Sequence, residues 1–288
     1  MQWKTNNLAG LKKQYIKELE DYYKKQEAAA LINILIKSFF GMSRSDLVMN
    51  PGYRLSESEI LKLHFAVKQL KDYKPVQYII KKIDFVNVRL MVNESVLIPR
   101  PETEELVSMI IDREKEEHLR ILDVGTGSGC IAIALAKNLK NPKVYAIDVS
   151  GPALKTASKN AFINEVMVYF IHFNILEQNE IEEMDMLDII VSNPPYVTES
   201  DKALMQENVL RFEPHEALFV QGGDPLLFYK AILYFAGDHL NTNGRIYFEV
   251  NEQYGKEVAG LLTRQGFSKV DLFQDINGKN RFVAGVKR

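Results

Sequence analysis

At 288 residues, with 46% hydrophobic and 26% charged residues, the chain can bury a large core and hold one big domain with a smaller one. A net charge of −2 argues against a protein that grips long nucleic acid, and one cysteine excludes an internal disulfide and fits a reducing compartment. The start lacks an apolar signal core and no apolar run approaches the roughly 20 residues of a membrane helix, so a cytoplasmic protein with no membrane segment is expected.

The charge is unevenly placed. Residues 1–75 carry 13 Lys/Arg against 8 Asp/Glu, and residues 76–288 carry 23 against 30. The first stretch reads as helices. Tyr15, Leu19, Tyr22 and Tyr23 recur at helical spacing, and Ala28 to Phe40 favours helix with an apolar face. Ser43 to Asp46 looks like a cap before Leu47, and Ser56 with Glu59 forms a capping-box start before Ile60, Leu63, Val67 and Leu70. The period changes at Pro75, where Val76 to Met91 favours short strands and reads as a hairpin-like connector over residues 76–98. Arg100 stands between Pro99 and Pro101, which aims it stiffly. Glu102 and Glu104 then sit in the first turn of a helix whose face carries Leu106, Val107 and Ile110.

From Leu119 onward, strands and helices alternate. Arg120 to Val124 is a strand, Gly125 to Gly129 a glycine-rich turn, Cys130 to Leu139 a helix, and Val144 to Asp148 a strand ending in an acid. A helix over 152–164, a strand over 168–173, an acidic loop and the strand 187–192 follow. Beyond them come a helix over 224–240, a strand over 245–250, a helix over 254–265 and two strands around the turn at 277–280. This order implies an α/β fold with a mostly parallel, doubly wound sheet and ligands at the carboxyl ends of its strands.

The strand 187–192 stops at Asn193-Pro194-Pro195-Tyr196. Proline lacks an N–H and pushes the residue before it towards extended backbone, so two in succession make a stiff corner. Such a corner presents the Asn193 side chain and backbone carbonyls as acceptors to a planar –NH2 group, with Tyr196 as a stacking face. An ordinary Asn-Pro turn competes with this reading when the motif is taken alone. The glycine turn lets backbone approach a ligand at a helix N-terminus, and Asp148 lies where an acid can hold both hydroxyls of a ribose. A dinucleotide would fit this much. The pattern Asp123-x-Gly-x-Gly-x-Gly129 tilts it towards S-adenosylmethionine, whose amino-acid tail needs polar anchors. Cys130 reads as a small core residue, and the histidines show no metal-ligand spacing.

Asp123 to Gly129 together with Asn193 to Tyr196 is the motif pair of amino-methylating S-adenosylmethionine-dependent methyltransferases. Within them the chain closely resembles the PrmC/HemK family of release factor glutamine N5-methyltransferases. The likeness runs through Pro75 to Tyr78, Ile98 to Thr103, Arg211 to Leu218 and Gly222 to Asp224. It implies an N-terminal helical bundle (1–75) that binds the release factor, a β-hairpin linker (76–98) and a Rossmann-like methyltransferase domain (99–288). It also implies a monomer without stable nucleic acid, acting on the glutamine of the Gly-Gly-Gln motif of class I peptide chain release factors. By motif, Gly125, Thr126, Gly127, Ser128, Gly129 and Asp148 would bind S-adenosylmethionine, with Asn193 beside them. Asn193, Pro194 and Tyr196 would be catalytic, and with Pro195 they would hold the glutamine, Arg100 and Glu102 shaping the mouth. Asn174 stands where relatives often carry an Asp near the adenine, and Phe85 to Asn87 departs from an aromatic-Gly pattern. The rivals are an adenine-N6 nucleic-acid methyltransferase, which would need base flipping and a basic groove, and a ribosomal-protein glutamine methyltransferase.

Overall fold

In a computed structural model, which describes residues 5–177, 184–198, 202, 205 and 207–288, the chain forms two compact units, Met1–Lys81 and Lys82–Arg288. The first unit is helical: α1 (Leu8–Leu19), α2 (Lys25–Phe40), α3 (Arg44–Met49), α4 (Glu57–Lys71) and α5 (Val76–Ile80). Ser43 with Asp46 and Ser56 with Glu59 each form a complete capping box, so α3 and α4 begin where the sequence places their starts. The apolar stripe of each helix turns inward. Leu8, Leu11, Leu19, Ile32, Leu35, Ile36 and Leu63 are fully buried, each contributing about 1.5–3 kcal/mol relative to exposure.

The strand expected over Val76–Ile80 is instead the short helix α5. Pro75 supplies a fixed φ at its entry, Val76 and Ile79 sit three apart on the face turned to the bundle core, and Lys81 ends the helix at φ +59°. Packing against α2 and α4 outweighs the β propensity of Val and Ile. The hairpin itself is shorter than expected, β1 (Lys82–Phe85) against β2 (Val88–Met91), closed by Val86 at φ +34° and Asn87 at φ +63°. Positive φ at both turn residues matches a two-residue hairpin loop. Asn tolerates it and a β-branched Val does so only under strain.

The second unit continues with α6 (Pro101–Arg113), β3 (Arg120–Val124), α7 (Cys130–Asn138), β4 (Lys143–Asp148), α8 (Gly151–Ile163), β5 (Tyr169–His172) and β6 (Leu187–Ser192). Then come α9 (Glu207–Phe212), α10 (Leu227–His239), β7 (Leu240–Glu249), α11 (Gly255–Arg264), β8 (Phe267–Gln274) and β9 (Asn280–Lys287). Residues 178–183, in the acidic loop before β6, lie outside the described residues. The sheet order is β5-β4-β3-β6-β7-β9-β8. The first five strands are parallel, and β9 runs antiparallel to both its neighbours.

This is the expected α/β sheet with an antiparallel C-terminal pair. Strand β3 lies between β4 and β6, so the chain reverses its direction of travel across the sheet there and leaves a crevice at the strands' carboxyl ends. The hairpin is tied to the rim of that crevice by the fully buried Asn160 of α8. Its Nδ2 donates to Met91 O (3.0 Å) and to Ser128 O (2.9 Å), and its Oδ1 accepts from Met91 N (2.7 Å).

Candidate active site

Three strand ends meet at the crevice: Val124-Gly125 after β3, Asp148 closing β4, and Asn193 after β6. They line a cleft of about 850 Å3, open mouth included. Of the glycine turn, only Gly125 and Gly127 face it. Their φ values are +73° and +54°, and the space where a Cβ would stand is empty at both. The side chains of Thr126 and Ser128 and the Cβ position of Gly129, three residues expected at the cofactor, face the protein. Thr126 is buried and donates its hydroxyl to Asp123 Oδ2 (2.6 Å), Ser128 is buried with its carbonyl held by Asn160, and Gly129 lets α7 pack against Ala157. Asp123 also accepts from Ala132 N, so it braces the turn from below, and burial pushes its carboxyl up to about 7.

Asp148 stands at the floor of the cleft. Its Oδ2 accepts from Gly127 N and its Oδ1 from Ser150 N, both at 2.8 Å, which aims the carboxylate and fixes the turn to β4. Burial raises its pKa, while these two donors oppose the rise. Asn174 lines the far wall with Phe173 and Ile175. Its Oδ1 accepts from Leu176 N (3.1 Å) and its Nδ2 donates to Glu177 Oε1 (2.9 Å), so one lone pair of the oxygen is already engaged. An acid fixed beside two glycines whose missing side chains leave open space suits a ribose and an amino-acid tail, and Phe173 and Ile175 suit an adenine. The residues fit S-adenosylmethionine. Cys130 is not among those lining the cleft, and burial drives its thiol up to about 12, opposite to the effect of a helix N-terminus.

Asn193, Pro194 and Pro195 form a wall with a cavity on each side. Across it lies a second pocket of about 350 Å3, lined also by Arg100, Tyr196, Leu218 and Glu249. Tyr196 packs, partly buried, against the hydrophobic core that contains Tyr229 and Phe248. Burial first, and then the neighbouring Glu249, keep its phenol protonated far above the ordinary range. Arg100 is held by a 2.6 Å ion pair to Glu213, whose other oxygen accepts from Ile98 N (3.2 Å). The two signature stretches 98–103 and 211–218 are thus joined through one buried carboxylate. Glu102 does not line either pocket, and it acts electrostatically on Tyr196 and Glu249.

Sequence reasoning quoted Thr103 and Glu213 within the signature stretches without giving them a role at the site, and passed over Glu249. Thr103 Oγ1 donates to Glu249 Oε2 (2.7 Å) and accepts from Asn193 Nδ2 (3.2 Å). Glu249 is 2% exposed, and burial pushes its carboxyl up to about 7. The available signal was a carboxylate at the end of the otherwise apolar run Ile246-Tyr-Phe-Glu-Val250, since a charge almost never ends buried without a task or a partner.

Comparison with known proteins agrees with this geometry. The Methyltransferase small domain profile matches residues 102–226, and the PrmC N-terminal domain profile matches residues 11–80. A release factor glutamine methyltransferase of Flavobacterium psychrophilum is 45% identical over 274 residues, covering 94% of this chain and 95% of that one. One of Bacteroides thetaiotaomicron is 39% identical, covering 93% and 96%. Among solved structures, a methyltransferase from Pyrococcus furiosus shares the fold at 17% identity with a TM-score of 0.52, covering 81% of this chain and 99% of that one. On these likenesses, the chain belongs to the release factor glutamine methyltransferase family, and S-adenosylmethionine is its cofactor.

Proposed function

We propose that the enzyme transfers a methyl group from S-adenosylmethionine to the side-chain amide nitrogen of the glutamine in the Gly-Gly-Gln motif of class I release factors. The observation that carries this reading is the Asn193-Pro194-Pro195 wall, which borders the large cleft on one side and the small pocket on the other. Gly125, Gly127 and Asp148 would hold the cofactor in the large cleft, with Asn174 at its far wall. Arg100, Pro195 and Tyr196 would bound the glutamine in the small one, with Glu102 adding charge near its mouth. The N-terminal bundle would engage the release factor. The positive surplus of residues 1–75 and the match to the PrmC N-terminal domain support that role. The enzyme would act as a cytoplasmic monomer. Residues 76–288 are net acidic, which counts against the adenine-methylating alternative.

When bound, the cofactor supplies an electrophilic methyl group on a sulfonium. An amide nitrogen is a poor nucleophile because its lone pair is delocalised into its carbonyl. The Asn193 side-chain oxygen and the Pro194 carbonyl would accept its two N–H bonds, orienting the nitrogen and increasing its electron density. With the cofactor held by Gly125, Gly127 and Asp148, the nitrogen oriented by Asn193 and Pro194 would receive the methyl group that the sulfonium gives up with its bonding electrons left on sulfur, and its surplus N–H proton would leave to solvent. Positioning by fixed dipoles supplies about 7–11 kcal/mol for well-oriented reactants, and no strong base is required.

The test is transfer of labelled methyl from S-adenosylmethionine to a purified class I release factor, followed by peptide mass mapping. The control is the same factor with its Gly-Gly-Gln glutamine changed to alanine. One methyl on that glutamine, absent from the control, is the expected result, whereas label entering DNA or RNA would overturn the reading. Asn193→Ala should lower the rate about 100-fold or more with cofactor binding nearly intact, because it removes a contact made to the reacting amide.

A further inference from the structure

We infer that Thr103 and Glu249 form a positioning pair that sets which end of the Asn193 side-chain amide faces the substrate pocket. This deepens the proposed reading of the site and rests on it. Thr103 has a single hydroxyl proton, and it goes to the buried Glu249 carboxyl at 2.7 Å. The hydroxyl oxygen then offers only lone pairs to Asn193, 3.2 Å away. Asparagine can turn its amide over and exchange acceptor for donor at little steric cost, so its orientation is decided by its partners. A lone-pair partner at Thr103 draws the –NH2 group towards itself and leaves Oδ1 for the pocket. That is the orientation an incoming –NH2 group needs, because an Asn193 turned over would meet it donor to donor.

The arrangement is built to stay fixed. Thr103 is 2% exposed and sits in the first turn of α6, behind Pro101. Glu249 is 2% exposed at the end of β7, where Tyr229 OH donates to its backbone carbonyl at 3.0 Å. A buried carboxyl kept at the edge of the substrate pocket costs stability unless it performs a task, and orienting a partner through a hydroxyl is such a task. The pair also gives a physical reason for a threonine at the end of the Ile98 to Thr103 stretch: serine would supply the same hydroxyl and valine the same shape without it.

The test uses the full chain, a full-length class I release factor and labelled S-adenosylmethionine. Thr103→Val should lower kcat about 10-fold or more through misorientation of one transition-state contact, while the cofactor Kd by calorimetry changes less than about twofold. Thr103→Ser should restore most of the rate. In an Asn193→Ala background, Thr103→Val should change the rate by less than about twofold, because a residue acting only through Asn193 has nothing left to act on. Thr103→Ala replaces the valine variant if that protein shows no thermal shift with S-adenosylmethionine. Methyl transfer by the hydroxyl-less variant at the wild-type rate, or an equal loss in both backgrounds, would overturn the pairing and leave the function reading standing. Absence of methyl transfer to the release factor by the wild-type enzyme would overturn both.

Discussion

At Gly127 and Gly129 the same residue type, at positive φ in both places, performs different tasks. Both hold positive φ, +54° and +81°, where an L side chain costs about 1–2 kcal/mol. A Cβ on Gly127 would project into the open cleft, whereas one on Gly129 would stand 2.7 Å from Ile133 Cδ1 and 3.1 Å from Ala157 Cβ. Gly127→Ala should therefore destabilise the fold by only about 1 kcal/mol yet weaken S-adenosylmethionine binding about 10-fold, since the methyl occupies ligand space. Gly129→Ala should destabilise by about 2–4 kcal/mol, adding overpacking to the backbone strain. Urea denaturation and calorimetric titration of both variants would separate the two roles. Equal stability losses would contradict the assignment. The sequence motif shows five candidate residues in a row, and only packing separates the two that line the cleft from the three that brace it.

Among the elements, the segment leading into α6 and the segment after α9 depend on one another through Glu213. Its carboxylate is 1% exposed and receives both the Arg100 guanidinium and the Ile98 N–H. Glu213→Ala would strand a buried N–H and release an Arg whose side chain is one-third exposed. The expected cost is about 2–4 kcal/mol, below the full penalty for a wholly buried pair because water can reach Arg100. The rate should fall with it, since Leu97, Arg100 and Pro195 all line the small pocket. Thermal melting and methyl transfer measured together would check this, and unchanged values of both would refute the coupling. Element types follow from sequence period nearly throughout the methyltransferase unit. There α9, six residues long, has no counterpart in the sequence reading; in the helical unit α5 departs from it too, because its five residues are too few for period to override β-branched composition, so tertiary packing decided it.

For the whole molecule, two buried acids impose a pH dependence on stability. Asp123 and Glu249 are each pushed up to about 7 by burial, from ordinary values of 3.8 and 4.5. Between about pH 4 and pH 7 the folded chain holds protons that the unfolded chain has released. This contribution is fully present below the unfolded values and is lost as the pH rises through about 7. Asp123→Asn cannot titrate, so the melting temperature of the wild type relative to this variant should decline from pH 5 to pH 8 and level off above. A difference that grows with pH would show that the carboxyl is held ionised instead. The asparagine keeps an acceptor for Thr126 and Ala132, so the brace beneath the glycine turn survives the substitution.

The sequence by itself determined the alternation of strands and helices from β3 to β6, the parallel sheet with its crevice, the helical character of the first unit, the glycine turn with Asp148, and the Asn-Pro-Pro-Tyr corner. Each of these is local: a period, a cap, a glycine or a proline acts on its immediate neighbours in the chain. Only the tertiary structure decided which glycine-turn residues reach the cleft, that Asn193 to Pro195 separates two cavities, and that Thr103, Glu213 and Glu249 support them. Thr103 and Glu249 are 146 residues apart, and Ile98 and Glu213 are 115 apart. No local pattern encodes such pairings, which arise when folding brings the carboxyl ends of β6 and β7 beside the start of α6 and buries Thr103, Glu213 and Glu249 against their partners.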